Sequence, residues 1–328
     1  MKLDLVIELA AVAGATSGSA ARAANLETLI ARGDTIAAPA STCDSCVIAM
    51  CGFDPGAITA NAAIYALGEG LAPGDDYWLR ADPVCLAPTT TQLTLNELPD
   101  GALTAAEAQA LGATLSAYFA ADDFVLFTPH PQRWYLRMRN APDLETLSPA
   151  ACAGTLHESA LPSGRDGAQW KRVITEVQML LHSHPVNAAR EAEGKPPANA
   201  VWPWGGGRMP GGSHPPRYGI AFADDLLVRG LARATGAPVH ALPSDARAVL
   251  LSAATTNDVL VVLRLANASA MEALERQWIA PLQAALASGQ ISELSLHVCG
   301  DGGFIARRIT RAHLHRWWRR RRPLAAYG

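Results

Sequence analysis

The stretch HPVNAAREAEGKPPANAVWPWGGG, residues 184–207, concentrates the most informative chemistry in this chain. It combines an imidazole, amides, a guanidinium and three consecutive glycines, and its prolines disfavour a continuous helix or central strand. Pro185 suits the first position of a short helix, and Gly194 suits its end. On that helix Asn187 and Arg190 share a face, where they could bind one anion. Alternatively, both side chains satisfy backbone carbonyls in a buried helical hairpin.

An amphipathic helix is expected immediately before this stretch. Apolar residues recur at three- and four-residue spacing over 170–181, so one face of that helix should lie in the core. Beyond the short second helix, glycines 205–207 are expected in a loop whose backbone can approach a ligand closely. The two helices and the loop together predict a segment that presents polar groups to a ligand.

Strand and helix patterns alternate towards both ends of the chain. Apolar, β-branched runs predict buried strands at 3–9, 259–265 and 294–299, and helices are expected around 25–30 and 271–286. This alternation is typical of a parallel sheet covered by helices on both faces.

The middle of the chain has a different order of elements. A strand-like run, an alanine-rich helix, a hairpin and the long helix follow one another at 78–95, 105–121, 124–138 and 170–181. This order favours an α+β domain inserted into the α/β core. We place the core at 1–75 and 211–328 and the insert at 76–210, with 205–216 as a flexible return.

Composition indicates a folded chain with an uneven charge distribution. The 328 residues are 49% hydrophobic and 17% charged, which disfavours disorder and allows two domains. The net charge is −3, and the segment from Gly302 onwards holds eight arginines and no acidic residue. The preceding residues therefore carry −11, which disfavours a polyanion-binding body.

Cysteine spacing and the N-terminal charges favour a cytoplasmic protein. Cys43, Cys46 and Cys51 have the opening spacing of a metal knuckle, but no matching second pair follows, so small buried residues are favoured over zinc ligands. Asp4 and Glu8 interrupt the first apolar run, which argues against a signal peptide, and the run is too short to span a membrane.

Residues 184–207 resemble the HPVN-to-WGxG block of the archaeal-type 2,3-bisphosphoglycerate-independent phosphoglycerate mutases, members of the alkaline phosphatase superfamily. They resemble still more closely the proteobacterial relatives of these mutases, a regulatory-protein family of the rpf pathogenicity cluster. The resemblance covers nearly the whole chain through 24–29, 52–55, 66–75, 78–82 and 225–236. It implies an alkaline-phosphatase-like α/β fold, with a mostly parallel sheet flanked by helices and an inserted α+β domain.

The resemblance also shows where catalytic groups should stand. Such a mutase needs two divalent metals, held by Asp and His, to activate a Ser or Thr nucleophile and neutralise phosphoryl oxygens. Counting back from residues 52–55, the nucleophile position falls on Cys43, with Ser45 as a displaced alternative. Later ligand positions fall around Asn267, where no Asp or His stands, and on Asp301, the one carboxylate left for a metal.

The family's substrate-side residues are retained by contrast. Arginines with amides suit a phosphorylated carboxylate. The resemblance assigns ligand binding to Arg80, Arg133, His184, Asn187, Arg190, Asn199 and Trp202.

These observations predict a catalytically degenerate mutase-like protein that binds a phosphorylated small molecule or acts in regulation, with no resident cofactor. The competing hypothesis is an active mutase or phosphatase that uses Cys43 or Ser45 with Mn²⁺ or another divalent metal.

An arginine-rich arm, residues 307–322, is the other candidate binding element. Its arginines, with Trp317 and Trp318, could bind an anionic partner, either nucleic acid or a membrane surface. The alternative that we favour is a terminal helix whose Trp and Ile side chains pack on the acidic body while its arginines form ion pairs there.

Overall fold

The computed structural model describes residues 1–9, 23–37, 42–58, 61–88, 93–120, 123–265, 270–300 and 303–327. The chain divides into two compact units, residues 1–59 with 212–328 and residues 60–211. The strands of the described residues are β1 (Lys2–Leu9), β2 (Asp34–Thr35), β3 (Tyr77–Pro88), β4 (Leu93–Glu97), β5 (Phe124–His130), β6 (Arg133–Met138), β7 (Gly154–Leu156), β8 (Ala200–Gly207), β9 (Ile220–Phe222), β10 (Val239–His240), β11 (Asp258–Leu265), β12 (Glu293–Gly300) and β13 (Gly303–Thr310).

The helices predicted at 25–30, 170–181 and 271–286 are present, and the last one is interrupted by an irregular segment. A π-helical segment, Leu274–Ile279, joins the last two α-helices. Within the described ranges, 3₁₀ turns lie at Glu158–Ala160, Arg311–His315 and Leu324–Ala326. The α-helices of the described residues are α1 (Ala24–Arg32), α2 (Cys43–Met50), α3 (Pro55–Ile58), α4 (Ala62–Glu69), α5 (Ala105–Phe119), α6 (Pro149–Cys152), α7 (Gly167–His182), α8 (Pro185–Ala192), α9 (Leu226–Thr235), α10 (Ala246–Ser252), α11 (Ala270–Ala273) and α12 (Ala280–Ser288).

The first unit is built on a mostly parallel sheet. Its strand order is β10-β9-β11-β1-β12-β13-β2, with β10 to β12 parallel and β13 and β2 added antiparallel. Glu8 of β1 lies between Arg264 of β11 and Cys299 of β12 in the sheet register. The carboxyl ends of these strands therefore meet at one edge, where open α/β sheets bind ligands.

Alternation along β1 divides its side chains between the two faces of the sheet. Leu3, Leu5 and Ile7 are buried in one large core cluster with the apolar faces of α1 and α12. The side chains of Asp4 and Glu8 point to the opposite face, because strand side chains alternate with a period of two. That alternation brings the Glu8 carboxylate close to the carboxyl end of the strand.

The second unit is an antiparallel sheet with helices packed on it. Its order is β5-β6-β3-β4-β7, and β8 pairs with β3. The predicted strand at 78–95 is two antiparallel strands, β3 and β4. Helix α4 packs on β3 and β8 through alanines that touch Trp78 and Tyr135, so the contacts divide the chain at residue 60 instead of 76.

The glycines at 205–207 lie in strand β8, so the predicted loop there is wrong. A Cβ at Gly206 would lie 1.8 Å from the Tyr77 hydroxyl, and one at Gly207 would lie 2.4 Å from Asn61 Cγ. Both glycines are thus needed for close packing within this unit. Pro203 is tolerated because, among the described strands, β8 pairs with β3 alone.

Among the described residues, no helix is both long enough and apolar enough to cross a membrane.

Candidate functional site

One arginine binds three carboxylates at the carboxyl edge of the parallel sheet. Arg264 Nη1 pairs with Glu8, Nη2 lies 2.5 Å from Asp44 Oδ1, and Nε lies 2.8 Å from Asp225 Oδ2. About a third of the Arg264 side chain is exposed to solvent. We call these four residues the Arg264 cluster, which places one positive and three negative charges at the edge where this fold class binds ligands.

Local structure explains why these charges meet. Arg264 and Glu8 are register partners one residue before the ends of β11 and β1. Asp225 caps α9 by accepting the Val228 N–H at 3.0 Å. Asp44 lies in the first turn of α2. Both aspartates are thus at helix N-termini, where the helix dipole stabilises a negative charge.

The carboxylates keep the guanidinium charged. Burial alone would lower the pKa of Arg264. The negative charges of Asp225, Asp44 and Glu8 raise this pKa by more than burial lowers it, so the net change is upward. The cluster therefore contains a fixed cation that does not titrate near neutral pH.

The residues at this edge do not fit a two-metal centre. In the part of the chain that the structure describes, no three His, Cys, Asp or Glu side chains are placed to hold a metal. Asp301, the predicted ligand, and Asn267 lie outside the described residues. The undescribed stretches contain no histidine or cysteine, and their only acidic residues are Asp122 and Asp301.

Neither predicted nucleophile position is activated. Cys43 is 3% exposed, and a hydrogen bond with Cys299 together with burial raises the pKa of its thiol. A protonated, buried thiol is a poor nucleophile. The Ser45 hydroxyl lies 2.6 Å from the hydroxyl of Thr42, which cannot act as a general base at neutral pH.

We expect the native protein to resist thiol reagents. All six cysteines are buried and free, and burial raises the pKa of Cys46 and of Cys51 to about 12. Less than about one thiol per chain should react with DTNB within minutes at pH 8, because little thiolate is present. All six should react after unfolding in urea. Rapid alkylation of native Cys43, located by peptide mapping, would contradict this expectation and favour a cysteine nucleophile.

The amide of Asn187 is fully used inside the second unit. Its Nδ2 donates to the carbonyls of Leu181 at 2.8 Å and Ala198 at 3.0 Å, and its Oδ1 accepts the Ala198 N–H at 2.9 Å. These bonds join the end of α7 to the chain before β8. This arrangement matches the alternative in which Asn187 satisfies backbone carbonyls in a buried helical hairpin.

Arg190 shares the buried face of α8 with Asn187. It is 1% exposed, and its Nε donates to the Pro196 carbonyl at 2.9 Å. Its Nη1 binds the Ala102 carbonyl at 2.8 Å and Glu107 Oε1 at 2.9 Å. These contacts attach α8 to the start of α5.

The remaining residues of the block also make internal bonds. His184 caps α8 by accepting the Val186 N–H, and its Nε2 lies 3.1 Å from the Thr114 hydroxyl. Asn199 exchanges two hydrogen bonds of 2.8 Å with the backbone of Leu86. Trp202 is fully buried, with its indole N–H donating to the carbonyl of Leu147 at 2.9 Å.

The two other predicted arginines differ in exposure. Arg80 is 5% exposed and pairs at 2.7 Å with Asp82, which also accepts the indole N–H of Trp204 at 2.8 Å. Arg133 binds Glu69 at 2.5 Å while a third of its side chain remains exposed. Of the three predicted arginines, Arg133 has the most surface left for a ligand. Ligand binding by this set stays a prediction.

The Arg264 cluster was missed by the sequence analysis, although a signal was present. Charged residues end apolar strands at Glu8 and Arg264, and Asp225 follows the short apolar run of β9. Because parallel strands bring their carboxyl ends together, opposite charges at those ends indicate an ion-pair cluster.

The fold is shared with solved structures of phosphoglycerate mutase type. The structure resembles the cofactor-independent phosphoglycerate mutase of Thermoplasma acidophilum with a TM-score of 0.53 and 19% identity, over 99% of this chain and 94% of that one. It also resembles a protein of Pyrococcus horikoshii with a TM-score of 0.57 and 16% identity, over 92% and 87% of the two chains. The predicted α/β fold, with a mostly parallel sheet flanked by helices, is confirmed.

Sequence comparison gives relatives of the same kind. The chain is 29% identical over 195 residues to a probable 2,3-bisphosphoglycerate-independent phosphoglycerate mutase of Geobacter sulfurreducens, covering 57% of this chain and 49% of that protein. It is 28% identical over 163 residues to the mutase of Methanosarcina mazei, covering 48% and 40%. The matches thus span half or less of these relatives. No protein-family model matches the chain.

Proposed function

We propose that this protein is a phosphoglycerate-mutase-like protein that has lost metal-dependent phosphoryl transfer and acts in ligand binding or regulation. The observation that carries the proposal is the Arg264 guanidinium, which takes up three carboxylates at the edge where this fold class binds its ligands. A guanidinium supplies fixed charge, but it offers no open coordination position to activate a nucleophile.

The buried thiol of Cys43 supports the same conclusion, because it leaves the nucleophile position without an activated group. The resemblance to the rpf-cluster regulatory family fits a role without catalysis. The proposed ligand is a phosphorylated carboxylic acid. It contacts Arg133, the most exposed of the three predicted arginines. The Arg264 cluster is a poor site for this ligand, because its three carboxylates would repel an anion.

We expect the purified protein to lack phosphoglycerate mutase activity with or without Mn²⁺. The Thermoplasma acidophilum mutase, assayed in parallel, provides the positive control. Interconversion of 3- and 2-phosphoglycerate that Mn²⁺ stimulates, with about one bound metal or more per chain, would overturn the proposal and restore the active alternative.

Ligand binding is tested separately by thermal shift with 3-phosphoglycerate. A bound ligand should raise the Tm as its concentration rises. Arg133→Gln should abolish the shift, whereas Arg137→Gln, which removes a comparably exposed arginine from the same strand, should keep it. No shift in the wild-type protein would remove this ligand from the proposal.

A further inference from the structure

The arginine-rich arm presents two tryptophans to solvent. Trp317 is 78% exposed and Trp318 is 63% exposed, with ring centroids 6.0 Å apart and planes at 83°. The favoured expectation is therefore wrong for the helix and the tryptophans: the arm begins in β13 and continues as a 3₁₀ turn, Arg311–His315, followed by turns. It is right for Ile309, which is buried, and for Arg316, which forms an ion pair. Large exposed apolar groups such as the two tryptophans mark interaction sites.

The arm is held in place at its base. Asp34 binds Arg316, and its Oδ2 lies 3.2 Å from His313 Nε2. Arg319 donates to the Gly33 carbonyl at 2.9 Å, and Arg32 donates to the Leu314 carbonyl at 2.6 Å. The hydrogen bonds of Arg316 lower the pKa of Asp34, so the ion pairs of Asp34 are complete above about pH 3.8 and are lost only as the pH falls through the lower folded-state value.

A positively charged cleft lies between α1 and the arm. Its volume is about 440 Å³, and its walls are Thr28, Arg32, Trp317, Arg319, Arg320 and Arg321. The side chains of Arg320 and Arg321 make no hydrogen bond or ion pair with the described residues, so their charges are uncompensated. Asp34 is already shared by other cations.

We propose that this cleft binds single-stranded nucleic acid. Guanidiniums neutralise phosphates, and an exposed indole offers a stacking surface for a base. Both groups line the same open cleft, which a polynucleotide strand can enter. A bilayer is disfavoured because the arm has no amphipathic helix to lie in the membrane interface. The residues before Gly302 carry a net charge of −11 and repel a polyanion, so we expect it to bind only at the arginine-rich arm.

The test measures fluorescence anisotropy of a labelled twelve-nucleotide oligothymidylate with the full chain. Four arginines predict a log–log salt slope near −3, so affinity should fall about fifty-fold between 50 and 200 mM salt. Arg320→Gln with Arg321→Gln should weaken binding about ten-fold and make the slope less steep by about 1.4. The control, Arg165→Gln with Arg276→Gln, removes two exposed arginines elsewhere and should leave binding unchanged.

Stacking is separated from charge at Trp317. Trp317→Ala should weaken binding at least about five-fold without changing the salt slope, and Trp317→Phe should restore much of the loss. The variants change exposed side chains, so an unchanged Tm verifies folding. Equal binding by the arginine variant and its control would overturn the proposal. So would the absence of binding at 50 mM salt, or binding to phosphatidylserine vesicles without binding to the oligonucleotide.

Discussion

Replacing Arg264 with alanine is expected to lower the free energy of unfolding by about 1 to 3 kcal/mol and to make stability depend on divalent cations. The substitution leaves Glu8, Asp44 and Asp225 without the cation that holds them together. The expected loss is smaller than for a fully buried ion pair, because a third of the arginine side chain is exposed.

The three carboxylates are not placed to hold a metal beside Arg264, but in Arg264→Ala their uncompensated charge should attract Ca²⁺ weakly. Calcium accepts carboxylate oxygens in flexible geometry. Unfolding in urea, with and without 10 mM CaCl₂, measures the effect, and a recovery of about 1 kcal/mol in the variant alone is expected. Arg264→Lys should be intermediate, since one ammonium cannot reproduce the planar fork of a guanidinium.

The matched control is Arg276→Ala, which removes an arginine that is 71% exposed and 3.9 Å from Glu272. An exposed pair of this kind contributes little, so its stability should change by less than about 0.5 kcal/mol in either salt. If Arg264→Ala were as stable as the wild type, or gained nothing from Ca²⁺, the guanidinium would not be acting as the cation of this site.

Local sequence patterns predicted much of the fold because they record local physics. The apolar runs at the ends of the chain became β1, β11 and β12. Pro185 begins α8, and Gly194 adopts a φ of +71° just beyond its end, the conformation that only glycine enters without strain. These features depend on backbone preferences and side-chain alternation within a few residues.

The partners of the polar side chains could not be predicted in the same way. Arg190 meets Glu107, which lies 83 positions earlier, and Arg264 meets Glu8, which lies 256 positions away. No local pattern shows whether a guanidinium faces a ligand or a distant carboxylate. The three consecutive glycines at 205–207 likewise predicted a loop. Gly206 is needed because the Tyr77 hydroxyl lies against it, and Tyr77 belongs to another strand that no local pattern reveals.

The stretch 184–207 acts as structural support of the second unit by these contacts. Its side chains connect α8 to α5, and they connect the start of β8 to β3. The resemblance of this stretch to the mutases therefore reflects how the second unit packs. It does not require that catalytic groups are retained elsewhere in the chain. The same contacts predict that its arginine contributes to stability without any ligand.

Arg190→Met is accordingly expected to cost the second unit about 3 to 5 kcal/mol of unfolding free energy, the range for breaking a buried ion pair on one side. Methionine fills a similar length without charge, but it leaves Glu107 Oε1 and the carbonyls of Ala102 and Pro196 without the arginine donor. The guanidinium is 1% exposed, so solvent cannot replace those bonds unless the helix moves.

The pH dependence provides a second measure of the same contact. Burial raises the pKa of Glu107, but hydrogen bonds from Thr104 and Arg190 lower it more. The stabilisation is therefore complete above the unfolded-state pKa, near 4.5, and is lost as the pH falls through the lower folded-state value. In Arg190→Met this acid-labile part should shrink, since only the bonds from Thr104 remain.

Hydrogen exchange of the α5 and α8 amides, followed by mass spectrometry without ligand, locates the loss in this unit. Arg165→Met is the control, because that side chain is 85% exposed and should contribute less than about 0.5 kcal/mol. If Arg190 served only to bind a ligand, the opposite result would be observed. Exchange and stability would then be unchanged in Arg190→Met, while the thermal shift with 3-phosphoglycerate would disappear.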